Sequence, residues 1–188
     1  MKEVKQSVFL MMILALSTAF VDGNVEKEKI PADKKKSEVS YTMTHPLHEW
    51  TGISKEVNGV ILYETSTDKI ESVAVSILLS TFDSKNSNRD SHALEVLEAI
   101  KYPTVKLTSN NIDQNGKELT LRGNLIFHNV TRPVTITAVR SDDKKAITVE
   151  GTFLVNITDY QIEAPSLMGV KTKEEITLSF RIIFPHQR

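Results

Sequence analysis

The chain has 188 residues, 40% hydrophobic and 25% charged, with 23 Lys and Arg against 24 Asp and Glu for a formal net charge of −1. That is enough apolar material for one domain with a packed core, and it excludes an intrinsically disordered chain. Without a basic excess no counterion release drives nucleic-acid binding. The absence of cysteine excludes both a disulfide framework and a bacterial lipoprotein anchor.

Lys2 and Lys5 precede an unbroken apolar run over 8–16, VFLMMILAL, and the small residues Ala19 and Gly23 follow. Nine apolar residues are too few to span a bilayer but suit the core of a signal peptide. Residues 1–23 are therefore expected to be cleaved on export, leaving a soluble protein in the periplasm or outside the cell. Residues 24–38, NVEKEKIPADKKKSE, are dense in both charge signs and poor in apolar residues, and read as a charged flexible linker. Lys34, Lys35 and Lys36 within it leave a transient membrane contact open. A homodimer is equally left open.

From Val39 onward the period is two. Val73, Val75, Ile77 and Leu79 form one alternating set, and Leu119, Leu121, Gly123, Leu125 and Phe127 another. Ile147, Val149, Gly151, Phe153, Val155 and Ile157 form a third, and Ile176, Leu178, Phe180, Ile182 and Phe184 a fourth. Such alternation marks strands with one buried and one wet face, hence an antiparallel sheet. With turn signals at Asn58-Gly59, Asn115-Gly116, Arg132-Pro133 and Asp142-Asp143, it predicts eight strands: 40–53, 57–64, 70–82, 103–112, 117–128, 133–141, 145–157 and 174–184. Long strands sharing one apolar face close on themselves, because closure removes exposed edges.

One stretch breaks the period. Ala93, Leu94, Leu97 and Ile100 recur at helical spacing, Asp90 or Ser91 is available as N-cap, and Tyr102-Pro103 follows. This predicts one short helix over about 91–99, between the third and fourth strands.

Little in the chain points to catalysis. There is no nucleophile elbow, zinc-protease helix motif or phosphate loop, so neither an enzyme nor a cofactor is expected. His45 and His48 would face opposite sides of a strand and so make a poor metal pair. An enzyme built on those two with Glu49 is the weakest of three readings. Asn129-Val130-Thr131 and Asn156-Ile157-Thr158 match the glycosylation sequon. Gly123 and Gly151 lie on the inward parity of their strands, and mark either a barrel corner or a cavity wall.

Several motifs occur in one order: Asn88-Arg89-Asp90-x-His92-x-Leu94, Tyr102-Pro103, Leu121-x-Gly123-x-Leu125, His128-x-Val130-Thr131-x-Pro133, and a weaker Asn156-x-x-Asp159-Tyr160. Together they make the chain resemble the YceI-like proteins over about 39–184. The resemblance implies an all-β fold, an eight-stranded antiparallel lipocalin-like β-barrel over 39–188 with one short α-helix. It also implies a long-chain isoprenoid or other amphiphilic lipid as ligand, with no established catalytic activity. The wall of such a site would come from Ile77, Leu79, Leu107, Leu121, Gly123, Leu125 and Phe127 on one side. Val149, Gly151, Phe153, Val155, Leu178, Phe180 and Ile182 would complete it, with Trp50, Arg89 and His92 at the mouth. The competing reading is a filled barrel acting as a cell-envelope structural or interaction protein.

Overall fold

The computed structural model describes residues 26–167 and 169–186; the expected signal peptide lies outside them. In chain order the elements are β1 (Lys27–Pro31), β2 (Glu38–His45), β3 (His48–Ser54), β4 (Asn58–Glu64) and β5 (Lys69–Leu78), then α1 (Ser87–Val96). They continue with β6 (Thr104–Asn115), β7 (Glu118–Phe127), β8 (Val130–Asp142), β9 (Ala146–Asn156), β10 (Ser166–Leu167), β11 (Val170–Lys171) and β12 (Glu175–Pro185). Ten strands form one antiparallel sheet in the order β1-β4-β5-β6-β7-β8-β9-β12-β2-β3, and β10 and β11 form a separate small hairpin. The sheet curls into a barrel, as the period-two pattern requires. Along β7, Leu119, Leu121, Leu125 and Phe127 are buried while Glu118, Arg122 and Asn124 face water.

Closure is made by single backbone contacts. On one side Ile53 and Asp83 exchange hydrogen bonds at 3.1 and 3.0 Å, joining β3 to the segment after β5. On the other, the connector after β1 reaches two strands: Ala32 N–H donates to Gly59 O and Asp33 N–H to Ile183 O. The buried Ser37 hydroxyl then accepts from Ile183 N–H at 3.0 Å. This corrects the linker expected over 24–38. Residues 27–31 are a strand paired with β4, and the three lysines form a turn capped by Asp33. Composition hid the strand because four of its five residues are exposed and only Ile30 enters the core.

Other boundaries also differ from the sequence reading. The expected strand 40–53 is two strands, β2 and β3, joined at Pro46-Leu47, where a fixed proline φ suits a turn. The helix begins at Ser87, because the Asn86 side chain caps it by accepting from Arg89 N–H at 3.1 Å. With β1 counted and 40–53 split, it follows the fifth strand. The β7–β8 turn is His128-Asn129, both at positive φ, a two-residue hairpin loop. Arg132 and Pro133 instead lie inside β8. Proline is tolerated there because the ladder to β9 spans only Ala138 to Asp142, so at Pro133 no second neighbour needs its missing N–H.

Gly123 stands opposite an irregularity in β6, where the register slips between Thr108 and Asn111. The Ser109 hydroxyl turns into it, donating to Arg122 O at 2.8 Å. A Cβ on Gly123 would overlap the Thr108 carbonyl oxygen and press on Ser109. Gly123→Ala is therefore expected to destabilise the protein by about 1–3 kcal/mol, as overpacking does, seen as a lower urea midpoint.

The barrel end formed by the β4–β5, β6–β7 and β8–β9 turns is sealed by a buried cation. Arg140, 4% exposed, pairs with Asp68 and Asp142 and donates to Asp68 O at 2.8 Å and Gln114 Oε1 at 3.3 Å. The Tyr63 ring lies 5.6 Å beneath its guanidinium. Burial works against the charge, but Asp142 and Asp68 outweigh it and hold the guanidinium above its usual range. Arg140→Met removes the cation that faces Asp142 and Asp68 at the seal. A loss of about 3 kcal/mol is expected, read as a lower urea midpoint at unchanged slope.

Candidate functional site

The opposite end of the barrel opens into a chamber of about 500 Å³, within the range of small-molecule sites. Its walls are the inward positions of β2, β5, β7 and β12, and α1 with its flanking residues covers one side. Leu94, Val96 and Leu97 turn toward the near-end core, which is built on Leu125, Phe127, Ile157, Tyr160, Ile162 and Ile176. The chamber leads into a smaller apolar one of about 90 Å³ deeper in the barrel.

Polar groups gather at the mouth and hold the start of the helix in place. The Asp90 carboxylate accepts from the Ser84 N–H and hydroxyl. Arg89 donates from Nε to the same hydroxyl at 2.9 Å and from Nη2 to Ser84 O at 2.8 Å. Its guanidinium sits 5.3 Å from the Trp50 ring centroid, a cation–π contact. The segment following the helix is fastened through Glu98, which lies 2.9 Å from the His128 ring. That ring also lies 3.2 Å from Tyr160 O and packs edge-on against Tyr102 at 4.5 Å.

Tyr41 lines the chamber on the β2 side. Its ring covers Gly52, where a Cβ would meet the phenol oxygen at 2.9 Å, and packs edge-on to Phe82 at 5.5 Å. Burial first, and the Asp90 carboxylate second, raise its hydroxyl above the ordinary tyrosine range, with Trp50 and Arg89 partly offsetting them.

Most residues expected from the sequence meet here. Trp50, Ile77, Leu79, Arg89 and His92 line the large chamber, together with Leu125, Phe127 and Leu178. Leu107, Leu121, Val149, Phe153, Phe180 and Ile182 line the small one. Three do not. Gly123 is taken up by the β6 irregularity, so the barrel-corner reading applies to it. Gly151 contributes only space, because a Cβ there would lie 2.6 Å from the Phe180 ring. Val155 is packed into the near-end core at 3% exposure, and its cross-strand partner Ile176 lines the chamber instead.

The sequence reading missed Tyr41 and Met43, which follow Val39 at period two, and the helix residues Ala93, Leu94 and Leu97, whose spacing marked a helix but not a chamber wall. It also misplaced the histidine pair. The Pro46-Leu47 turn sets His45 opposite His48, so their rings share a face 5.3 Å apart. Leu47 N–H donates to His45 Nδ1, which leaves Nε2–H to donate to Val170 O. Both nitrogens are thus engaged with backbone, and no group of three potential metal ligands occurs among the described residues.

Curled strands around an apolar chamber that opens beside α1 define a hollow, lipocalin-like barrel. The chain belongs to the YceI-like family: the YceI-like domain matches residues 31–184. Protein YceI of Salmonella newport (strain SL254) is 28% identical over 127 residues, covering 65% of this chain and 66% of that one. The match thus spans just under two thirds of that relative. Among solved structures, BcnA of Burkholderia cenocepacia superposes with a TM-score of 0.73 at 16% identity, over 81% of this chain and 98% of that one. A polyisoprenoid binding domain from Saccharophagus degradans gives 0.68 at 14% identity, over 86% and 98%. A YceI protein of Campylobacter jejuni gives 0.62 at 14%, over 100% and 94%. At these identities the superpositions speak for the fold.

The raised Tyr41 hydroxyl has a consequence at alkaline pH. The folded protein keeps this proton where the unfolded chain, titrating near 10, has begun to lose it. The contribution to stability is therefore complete below that value and declines as pH rises through it. Stability measured by denaturant titration should fall above about pH 10, and less steeply in Tyr41→Phe.

Proposed function

We propose that the protein holds a long apolar ligand with a polar head, a polyisoprenoid or similar amphiphilic lipid, and acts as its carrier or store outside the cytoplasm. The observation that carries this reading is the chamber of about 500 Å³, walled mainly by aliphatic and aromatic side chains, with Arg89, Asp90 and His92 among its few polar ones. A barrel filled by its own side chains would not retain such a space. The likeness of fold to the Saccharophagus degradans polyisoprenoid binding domain supports the same ligand class, and the leader-like pattern over 1–23 supports export.

The energetics are adequate. Burying an isoprene unit of five carbons is worth on the order of 4 kcal/mol at about 0.8 per carbon, and ordering the chain takes back part of this. A head group would meet Trp50, Arg89, His92 and the Tyr41 hydroxyl. We assign no catalytic step to the site: the role is to bind and shield, and to exchange lipid with a membrane.

Two measurements test the reading. Organic extraction of the purified protein followed by mass spectrometry should yield an isoprenoid or other long-chain lipid. Titration of delipidated protein with an isoprenoid quinone should quench Trp50, the single tryptophan of the chain, saturably and at one site. An extract without lipid together with no quenching overturns it.

A further inference from the structure

The interior narrows where Val39, Ile77, Val105, Leu125 and Leu178 border both chambers. Below this waist Phe153 and Phe180 border only the lower one. Their rings pack edge to face with centroids 6.4 Å apart. Phe180 stands across from Gly151 in the β9–β12 ladder, and any side chain on Gly151 would enter the ring, at 2.6 Å from its tip. The glycine is what lets the ring lie against the strand. Both phenylalanines follow the inward parity of their strands yet are only half-buried, because their free faces border the chamber. The lower chamber ends on tightly packed side chains: Phe184 and Leu119, which also border it, and Ile147 are 1% exposed or less, and the Arg140 seal follows.

We propose that Phe180, seated on Gly151 and braced by Phe153, is the depth stop of the cavity and sets how long an apolar chain the barrel accepts. This rests on the ligand-holding reading above and adds a length limit to it. A chain entering at the mouth fills the upper chamber first. A chain that passes the waist then finds only about 90 Å³, one wall of which is the Phe180 ring, held from behind by the Gly151 backbone. Removing the Phe180 ring vacates a volume comparable with one isoprene unit.

The test uses the full chain and its Phe180→Ala and Phe180→Leu variants, each checked for folding by thermal melting. Geraniol, farnesol, geranylgeraniol and solanesol are the probes, with binding read by Trp50 fluorescence and by native mass spectrometry. Wild-type affinity should rise with chain length and then level off. In Phe180→Ala the plateau should move to a longer alcohol. The first alcohol beyond the wild-type limit should bind about tenfold tighter or more, a larger gain than for any shorter alcohol, with Phe180→Leu in between. If Phe180→Ala does not fold, the leucine variant decides on the same criterion. An unchanged plateau in a folded variant overturns the depth stop alone, as does a wild-type affinity that climbs through the whole series. Absence of binding by every alcohol to every protein overturns the ligand-holding reading and the stop with it.

Discussion

Ten antiparallel strands share one apolar face, and that face can leave water only if the sheet closes on itself. A sheet this long has two free edges, β1 and β3, each presenting unpaired N–H and C=O groups. The chain meets the requirement sparingly, with the Ile53–Asp83 bridge on one side and the segment from Ala32 to Ser37 on the other. Everything inside depends on those contacts. Without the connector pinned to β12, Ile30 and its neighbours would face solvent, and the chamber would have no continuous wall.

Closure leaves two ends, and the protein treats them differently. One is stoppered by charge: Arg140 is buried among acceptors from the β4–β5 turn and the ends of β6 and β8. The other opens beside α1 into an apolar chamber, with polar groups gathered at its mouth. The same physics gives a rigid base and a more permissive mouth, since desolvated charge pairs fix geometry while aliphatic walls adapt to what they meet.

The period-two pattern made the barrel legible, and with it most of the wall, because side-chain parity along a strand needs no tertiary information. What it could not supply came from elements lacking that pattern. β1 buries only Ile30, so its charges read as a linker. The Pro46-Leu47 turn folds fourteen residues of apparent strand into a hairpin, which reverses the facing of His48. Asn86 caps the helix from a position the apolar spacing does not reach. Gly123 and Gly151 share a parity but not a role: one yields to a neighbouring backbone and the other to a neighbouring ring, a difference visible only once the strands are paired.

The helix beside the mouth has no fully buried residue. Its attachment combines the half-buried Leu94, Val96 and Leu97 with polar contacts of Asn86, Arg89 and Asp90 at its start and of Glu98 with His128 just past its end. An element held in this way belongs to the low end of the stability range within a fold, while the strands beneath it share the cooperativity of the whole sheet. Release of the helix would therefore be a local event, separable from unfolding of the barrel, and would leave the strands that wall the chamber in place.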